Sequence, residues 1–224
     1  MLSLILIFTA DLSKAMQTMN LSFWEQETFF KNIDIIIAGS GIVGLNAALY
    51  LKKENQKLKI LIIERGILPS GASTKNAGIA CFGSTSELLD DLHTHSESEV
   101  FSLVTKRFNG LKRLRKNLGD KNIDYKPYGG YEIFDDKIVF ERSAEQLDFL
   151  NRKIQKVTGL KNVYRVADKK IKSFGLANVS HMIENSAEGQ MDTGKMMSAL
   201  IDKVHKLGVV ILNAVNIDTF EDTG

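Results

Sequence analysis

The feature that most constrains this chain is a glycine-rich turn set between two apolar runs. Residues 34–38 read Asp-Ile-Ile-Ile-Ala, and Gly39-Ser40-Gly41-Ile42-Val43-Gly44 follows at once. An unbroken β-branched run, unlike an alternating one, suits a strand covered on both faces in a parallel sheet. Residues 42–54 then place Ala47, Ala48, Leu49 and Leu51 on a helical pattern, and residues 58–64 read Leu-Lys-Ile-Leu-Ile-Ile-Glu, a second buried strand. Strand, glycine turn, helix and strand within about 30 residues make a βαβ unit.

The turn matches G-x-G-x-x-G, and its surroundings give each residue a physical task. Gly39 permits the tight turn, Gly41 lets backbone approach a pyrophosphate, and Gly44 lets helix and strand pack closely. The helix start offers free N–H groups and the positive end of the helix dipole to phosphate. Glu64 lies 20 residues past Gly44, at the end of the second strand, where its carboxylate is expected to accept ribose hydroxyls. A carboxylate there repels a 2′-phosphate, which disfavours NADP. The alternative is a structural glycine turn with no ligand.

This motif does not separate NAD from FAD, but the segment after Glu64 does. Gly71-Ala72-Ser73-Thr74-Lys75-Asn76-Ala77-Gly78 is a run of small and hydroxyl residues just beyond the second strand. Small side chains let backbone amides close over a pyrophosphate and a flat ring, and hydroxyls bond phosphate oxygens. Taken alone, the run also reads as a plain surface loop.

The middle of the chain has another texture. Helices are predicted over residues 84–92, 100–118 and 141–157, and an antiparallel-type strand over 128–134. Residues 193–207 predict a helix with Thr193 as N-cap and Gly208 as its stop, followed by a buried strand over 209–212. The chain ends on Asp222-Thr223-Gly224, a turn signal after a strand, which predicts a further strand beyond it.

Composition excludes more than it selects. Lys and Arg number 29 against 27 Asp and Glu, too even a balance for nucleic acid or an anionic membrane as main partner. One cysteine, Cys81, precludes an intrachain disulfide and points to a reducing, cytoplasmic setting. Residues 2–10 are apolar but lack a preceding positive charge and fall short of the about 20 residues a spanning helix needs, so no integral membrane segment is expected. Met19 offers an alternative start. Cys81 is read as a small packed side chain, His93 and His95 beside Asp90 and Asp91 as a polar helix end rather than a metal site, and His181 and His205 as structural. Lys75 is read as a solvated loop residue or an influence on the cofactor. Tyr128, Tyr131 and Glu132 either line a substrate site or pack within a strand.

The strand with Gly39 to Gly44, then Ile63-Glu64-Arg65-Gly66, then the Gly71 to Gly78 run, resembles the D-amino-acid oxidase superfamily of FAD-dependent oxidoreductases, among them glycine and sarcosine oxidases. The helix and strand over residues 192–217 are similar to that family's return into its FAD domain. The resemblance implies an α/β fold: a Rossmann-like, doubly wound FAD-binding domain with an inserted α+β substrate domain, incomplete at the C-terminus. The expected division is an N-terminal extension (1–32), FAD-binding parts (33–83 and 187–224) and a substrate part (84–186). It implies FAD as cofactor and hydride transfer from a small amine or amino acid. A hydroxy acid or glycerol phosphate as substrate, a non-catalytic remnant, and an NAD-binding module are the alternatives. By position, Ile42 and Val43 lie beside the pyrophosphate, Glu64 and Arg65 at the adenosine ribose, and Ala72 and Ser73 at the phosphates. Ala77, Gly78 and Ile79 pass near the isoalloxazine, and Ile217 offers its backbone to adenine. No catalytic residue is assigned, because the family's substrate-carboxylate groups lie in a later segment.

Overall fold

A computed structural model describes residues 7–8 and 20–218. The turn read at residues 222–224, the start at Met19 and most of the apolar N-terminal stretch lie outside the described residues. In chain order the elements begin with β1 (Ile7–Phe8), α1 (Phe23–Glu25) running into a π-helical turn (Gln26–Phe30), β2 (Ile35–Ala38), α2 (Ile42–Glu54) and β3 (Ile60–Ile63). Next come β4 (Ile79–Ala80), α3 (Thr85–Thr94), α4 (Glu97–Leu118), β5 (Gly130–Phe134), α5 (Lys137–Glu145) and α6 (Leu147–Thr158). The rest are β6 (Tyr164–Val166), a 3-10 helix (Asp168–Phe174), β7 (His181–Asn185), β8 (Gly189–Gln190), α7 (Thr193–Lys206) and β9 (Val210–Leu212). Two compact units result, one from Met1–Asn76 with Thr193–Gly224, the other from Ala77–Asp192.

The first unit is built on a sheet of order β1-β2-β3-β9. β2 and β3 run parallel with Ile35 opposite Ile60 and Ala38 opposite Ile63, β9 adds parallel to β3, and β1 pairs antiparallel to β2. Ile36 and Leu61 pack on one face with Phe30. Ile37, on the opposite face by strand alternation, meets α2 at Gly44. Along α7, Met196, Met197, Leu200 and Val204 are buried, and α7 packs against α2.

Lys52 closes the turn from α2 to β3. Its side chain is buried, and Nζ donates to the carbonyls of Gln56 (2.7 Å) and Leu58 (2.9 Å). A charged donor shared between two partly buried carbonyls is worth more than a neutral bond. Lys52→Met keeps the aliphatic stem and removes both bonds. Urea unfolding should show a loss of about 2 kcal/mol.

The second unit holds an antiparallel sheet of order β5-β7-β6. Phe134, Tyr164 and Ile183 on one face share a core with Leu150 and Ile154 of α6 and with Val100, Phe101 and Val104 of α4. On the other face Met182 packs with Ala167 and Ile171, and Tyr131 flanks them.

Several sequence expectations change here. The single helix over 141–157 is two helices, because Asp136 caps α5 early, accepting from Ile138 and Val139 N–H, and Gln146 breaks the run at φ −93°, ψ 1°. α4 begins before residue 100, where Ser96 and Glu99 form a capping box. β5 begins after Gly129, whose φ of +82° interrupts the strand expected from 128. Thr193 is the first residue of α7 rather than a residue before it. The two compact units divide at 76/77 and 192/193. A short antiparallel ladder is the reason: β4 pairs with β8, Ile79 opposite Gln190, and both segments stay in the second unit.

Candidate functional site

In the first unit the ends of β2 and β3 are locked together by backbone. Gly39, at φ +91°, donates its N–H to the Ile63 carbonyl at 2.8 Å, a turn that favours a residue without Cβ. Gly41 precedes α2 in extended conformation and contributes no side-chain cap. The cap comes from elsewhere in the sequence: Ile42 N–H donates to Ser73 Oγ at 2.9 Å. A Cβ on Gly41 would stand 3.2 Å from that same oxygen, and one on Gly44 would stand 2.1 Å from the Gly39 carbonyl oxygen. The glycines are therefore required by close approach of turn, helix and loop.

Glu64 lies directly beyond β3 and turns back toward the glycine bend. Its Oε2 accepts from both Ser40 N–H and Ser40 Oγ–H at 2.9 Å, and its Oε1 accepts from Gly66 N–H at 2.9 Å. Burial pushes the carboxyl up, but the bonds from Gly66 and Ser40, with Arg65 nearby, outweigh it and hold it below the ordinary carboxylate value. Three of the carboxylate's acceptor positions are thus taken within the chain.

Beyond β9 the chain is drawn over the same place. Glu64 N–H donates to Leu212, Val215 N–H to the Glu64 carbonyl, and Ala214 N–H to Gly66. Ala214 adopts φ +59°, a conformation uncommon for a residue with a Cβ. The result is a cleft of about 350 Å³, within the size range of small-molecule sites.

The glycines 39, 41 and 44 line this cleft with Ile42 and Val43. Glu64, Arg65, Ala72, Ser73 and Ile217 line it too. Ala77, Gly78 and Ile79 do not; they belong to the second unit, where Ile79 enters the β4–β8 ladder. Sequence reasoning gave no role to Ser40, to Pro69 and Ser70, or to Val215 with Asn216. A hydroxyl inside the glycine bend was the available signal for Ser40, while nothing in a local pattern marks Val215 or Asn216.

The other singled-out residues are engaged elsewhere. Glu132 serves the start of α3, accepting from Thr85 N–H (2.9 Å), Thr85 Oγ–H (2.6 Å) and Ser86. Tyr131 OH meets Lys170 Nζ at 2.9 Å and donates to Glu184 at 3.3 Å. Arg165 and then Lys170 hold Glu184 at about 2, against the opposing effect of its burial. His181, read as standing alone, pairs Nδ1 with Asp168 Oδ2 at 2.9 Å and stacks on Phe140. Cys81 is exposed, and partial burial of its sulfur with Glu188 and Glu87 nearby raises its thiol. Among the described residues, no group of three or more His, Cys, Asp or Glu is placed to hold a metal ion, and no helix is long and apolar enough to cross a membrane.

Glu188 is a buried acid that the sequence did not announce. Its Oε1 accepts from Phe82 N–H at 2.9 Å and Gly83 N–H at 3.4 Å. Its Oε2 lies against Gly130, where any Cβ would stand only 2.1 Å away. Burial, opposed by the two backbone bonds and reinforced by Glu87 and Glu132, pushes its carboxyl up to about 7.

Comparison with known proteins agrees with this architecture. No curated protein sequence matches the chain. Among solved structures, glycine oxidase from Bacillus cereus superposes with a TM-score of 0.59 at 16% identity, over 84% of this chain and 48% of that one. L-amino acid deaminase from Proteus myxofaciens gives 0.57 at 18%, over 84% and 40%. L-alpha-glycerophosphate oxidase from Mycoplasma pneumoniae, solved with FAD bound, gives 0.55 at 15%, over 82% and 44%. The chain thus spans less than half the length of each. Residues 34–224 match the model of the FAD dependent oxidoreductase family, DAO. FAD is that family's cofactor, and the chain belongs to the DAO family of FAD-dependent oxidoreductases.

Proposed function

We propose that this chain forms the FAD-holding part of an oxidoreductase acting on a small amine or amino acid. The observation that carries the proposal is the cleft in which the glycine bend, the capped start of α2 and the Glu64 carboxylate converge. Its residues fit the cofactor: at Gly41 and Gly44 a Cβ would fill the cradle or displace backbone. Ile42, Val43, Ala72 and Ser73 are assigned to the diphosphate, Glu64 and Arg65 to the adenosine ribose, and the backbone near Ile217 to adenine. When bound, FAD supplies a two-electron acceptor for a substrate C–H bond. The chain's own part is to bind and orient: helix N–H groups face anionic oxygen and a carboxylate receives a sugar hydroxyl. The Ala77–Asp192 unit is assigned to substrate recognition.

The amine or amino-acid class rests on the neighbours' names, glycine oxidase, L-amino acid deaminase and L-proline dehydrogenase. A second reading, a glycerol phosphate or hydroxy acid, is favoured by the likeness to a glycerophosphate oxidase. Reducing the FAD-loaded protein under anaerobic conditions, with glycine or proline in one arm and glycerol 3-phosphate in the other, separates the two by which bleaches the flavin. Cofactor choice has its own test. FAD at a hundredfold its Kd should add about 2.7 kcal/mol to stability and raise Tm, while NAD and NADP at equal concentration leave it unchanged. A rise with NAD and none with FAD would overturn the assignment.

A further inference from the structure

We infer that Ser40 is a positioning residue that holds Glu64 turned into the glycine bend, leaving the carboxylate able to take a single sugar hydroxyl rather than both. The inference rests on the reading of the cleft as an adenine-dinucleotide site. An ionised carboxylate offers about four acceptor positions. In Glu64 both positions of Oε2 are filled from one residue, by Ser40 N–H and Ser40 Oγ–H, and one position of Oε1 is filled by Gly66 N–H. One position on Oε1 remains. Gly66 keeps that oxygen in place closely, since a Cβ on Gly66 would stand 3.2 Å from it.

Ser40 is almost fully buried and Glu64 is 8% exposed, so water does not compete for the Oε2 bonds. The hydroxyl is what distinguishes this bend from one built with alanine at the same position. Without the hydroxyl, Ser40 N–H would hold Oε2 by one bond and Gly66 N–H would hold Oε1 by another, against a soft terminal torsion. With two donors from the same residue the group is clamped. The hydroxyl bond also stabilises the charged form, alongside Gly66, the Ser40 backbone and Arg65, so the acceptor stays ionised to lower pH.

Three measurements test this on the full chain, with ADP as the binding probe. The first compares ADP with its 2′-deoxy and 3′-deoxy analogues by calorimetry. A single contact means that one analogue binds within about twofold of ADP and the other about fivefold weaker, the worth of one hydrogen bond. Equal losses for both analogues would overturn the one-hydroxyl geometry. The second follows the Glu64 carboxyl by carbon NMR across pH, with no ligand present, in wild type, Ser40→Ala and Ser40→Cys. The titration should move to higher pH in Ser40→Ala and to an intermediate value in Ser40→Cys, whose thiol is a weak donor of similar shape. In the third, ADP affinity of Ser40→Ala should fall about fivefold, and the same change in a Glu64→Gln background should cost nothing further if Ser40 acts through Glu64. An unmoved titration in Ser40→Ala sinks the inference even where ADP binds. A shifted titration with no binding of ADP or FAD would leave Ser40's hold on Glu64 standing and overturn the dinucleotide reading.

Discussion

Gly44→Ala should lower the stability of the protein by about 3 kcal/mol or more and abolish cofactor-induced stabilisation. The added methyl carbon would stand 2.1 Å from the Gly39 carbonyl oxygen and 3.3 Å from Ile37 Cγ2. The first neighbour is backbone, held by the Gly39 N–H bond to Ile63, so it has no rotamer by which to withdraw. Relief requires α2 to lift from β2, and that opens the cleft. Alanine in a helix interior is intrinsically better than glycine by about 1 kcal/mol, which is too little to offset such overpacking. Gly110 provides the contrast. It lies within α4, and a Cβ there meets nothing within 4 Å. Gly110→Ala should therefore stabilise by about 0.5–1 kcal/mol. Urea unfolding of both variants checks the reversal of sign, and a Gly44→Ala protein as stable as wild type would mean that α2 does not approach β2 as described.

The second large effect is a dependence on pH. Glu188 titrates at about 7 in the folded chain against an ordinary 4.5, so between those values the folded state holds a proton that the unfolded state has released. Its contribution is fully present below pH 4.5 and is lost as pH rises through 7. A shift of this size corresponds to about 3 kcal/mol, a large share of a typical domain's stability. The groups facing it, Glu87 and Glu132, are themselves acidic and act in the same direction. Glu188→Gln keeps an acceptor for Phe82 and Gly83 N–H but cannot ionise. Its unfolding free energy should vary less between pH 5 and pH 8 than that of wild type, with the variant gaining relative ground at the alkaline end. Parallel urea curves at four pH values check this, and identical slopes in the two proteins would refute the account.

Much of the first unit was legible before any coordinates. Residues 35–37 and 60–63 are β-branched or apolar without interruption, and only burial on both faces of a sheet suits them. Three glycines at fixed spacing between those runs and an acid 20 residues on made the bend, the parallel pairing and the carboxylate's direction readable together. The second unit was harder to read because its sheet is stabilised by partners remote in sequence. β7 reads His-Met-Ile-Glu-Asn, hardly a strand by composition. Yet Glu184 is buried, paired with Arg165 of the adjoining strand and Lys170 of the 3-10 helix. β4 and β8 have two residues each and pair across 109 positions or more of chain, Ile79 opposite Gln190 and Ala80 opposite Gly189, with Lys126 bridging Gln190 as well. No local period reports such segments.

What the sequence by itself determined, then, is the dinucleotide-type frame: strand, bend, helix and strand, with family membership following from motif and order. Only the tertiary structure decided how that frame is used. It placed Ser73 on the first N–H of α2, drew Val215 to Ile217 alongside Glu64, and assigned residues 77–79 to the other unit. It also showed Glu64 already gripped by Ser40 and Gly66, and a buried Glu188 that takes the Phe82 and Gly83 N–H groups. The physical reason is common to all of these. Chain-local geometry and hydrophobic period are carried by neighbouring residues, whereas hydrogen-bond commitment, burial of charge and steric room depend on atoms that folding brings together from distant positions.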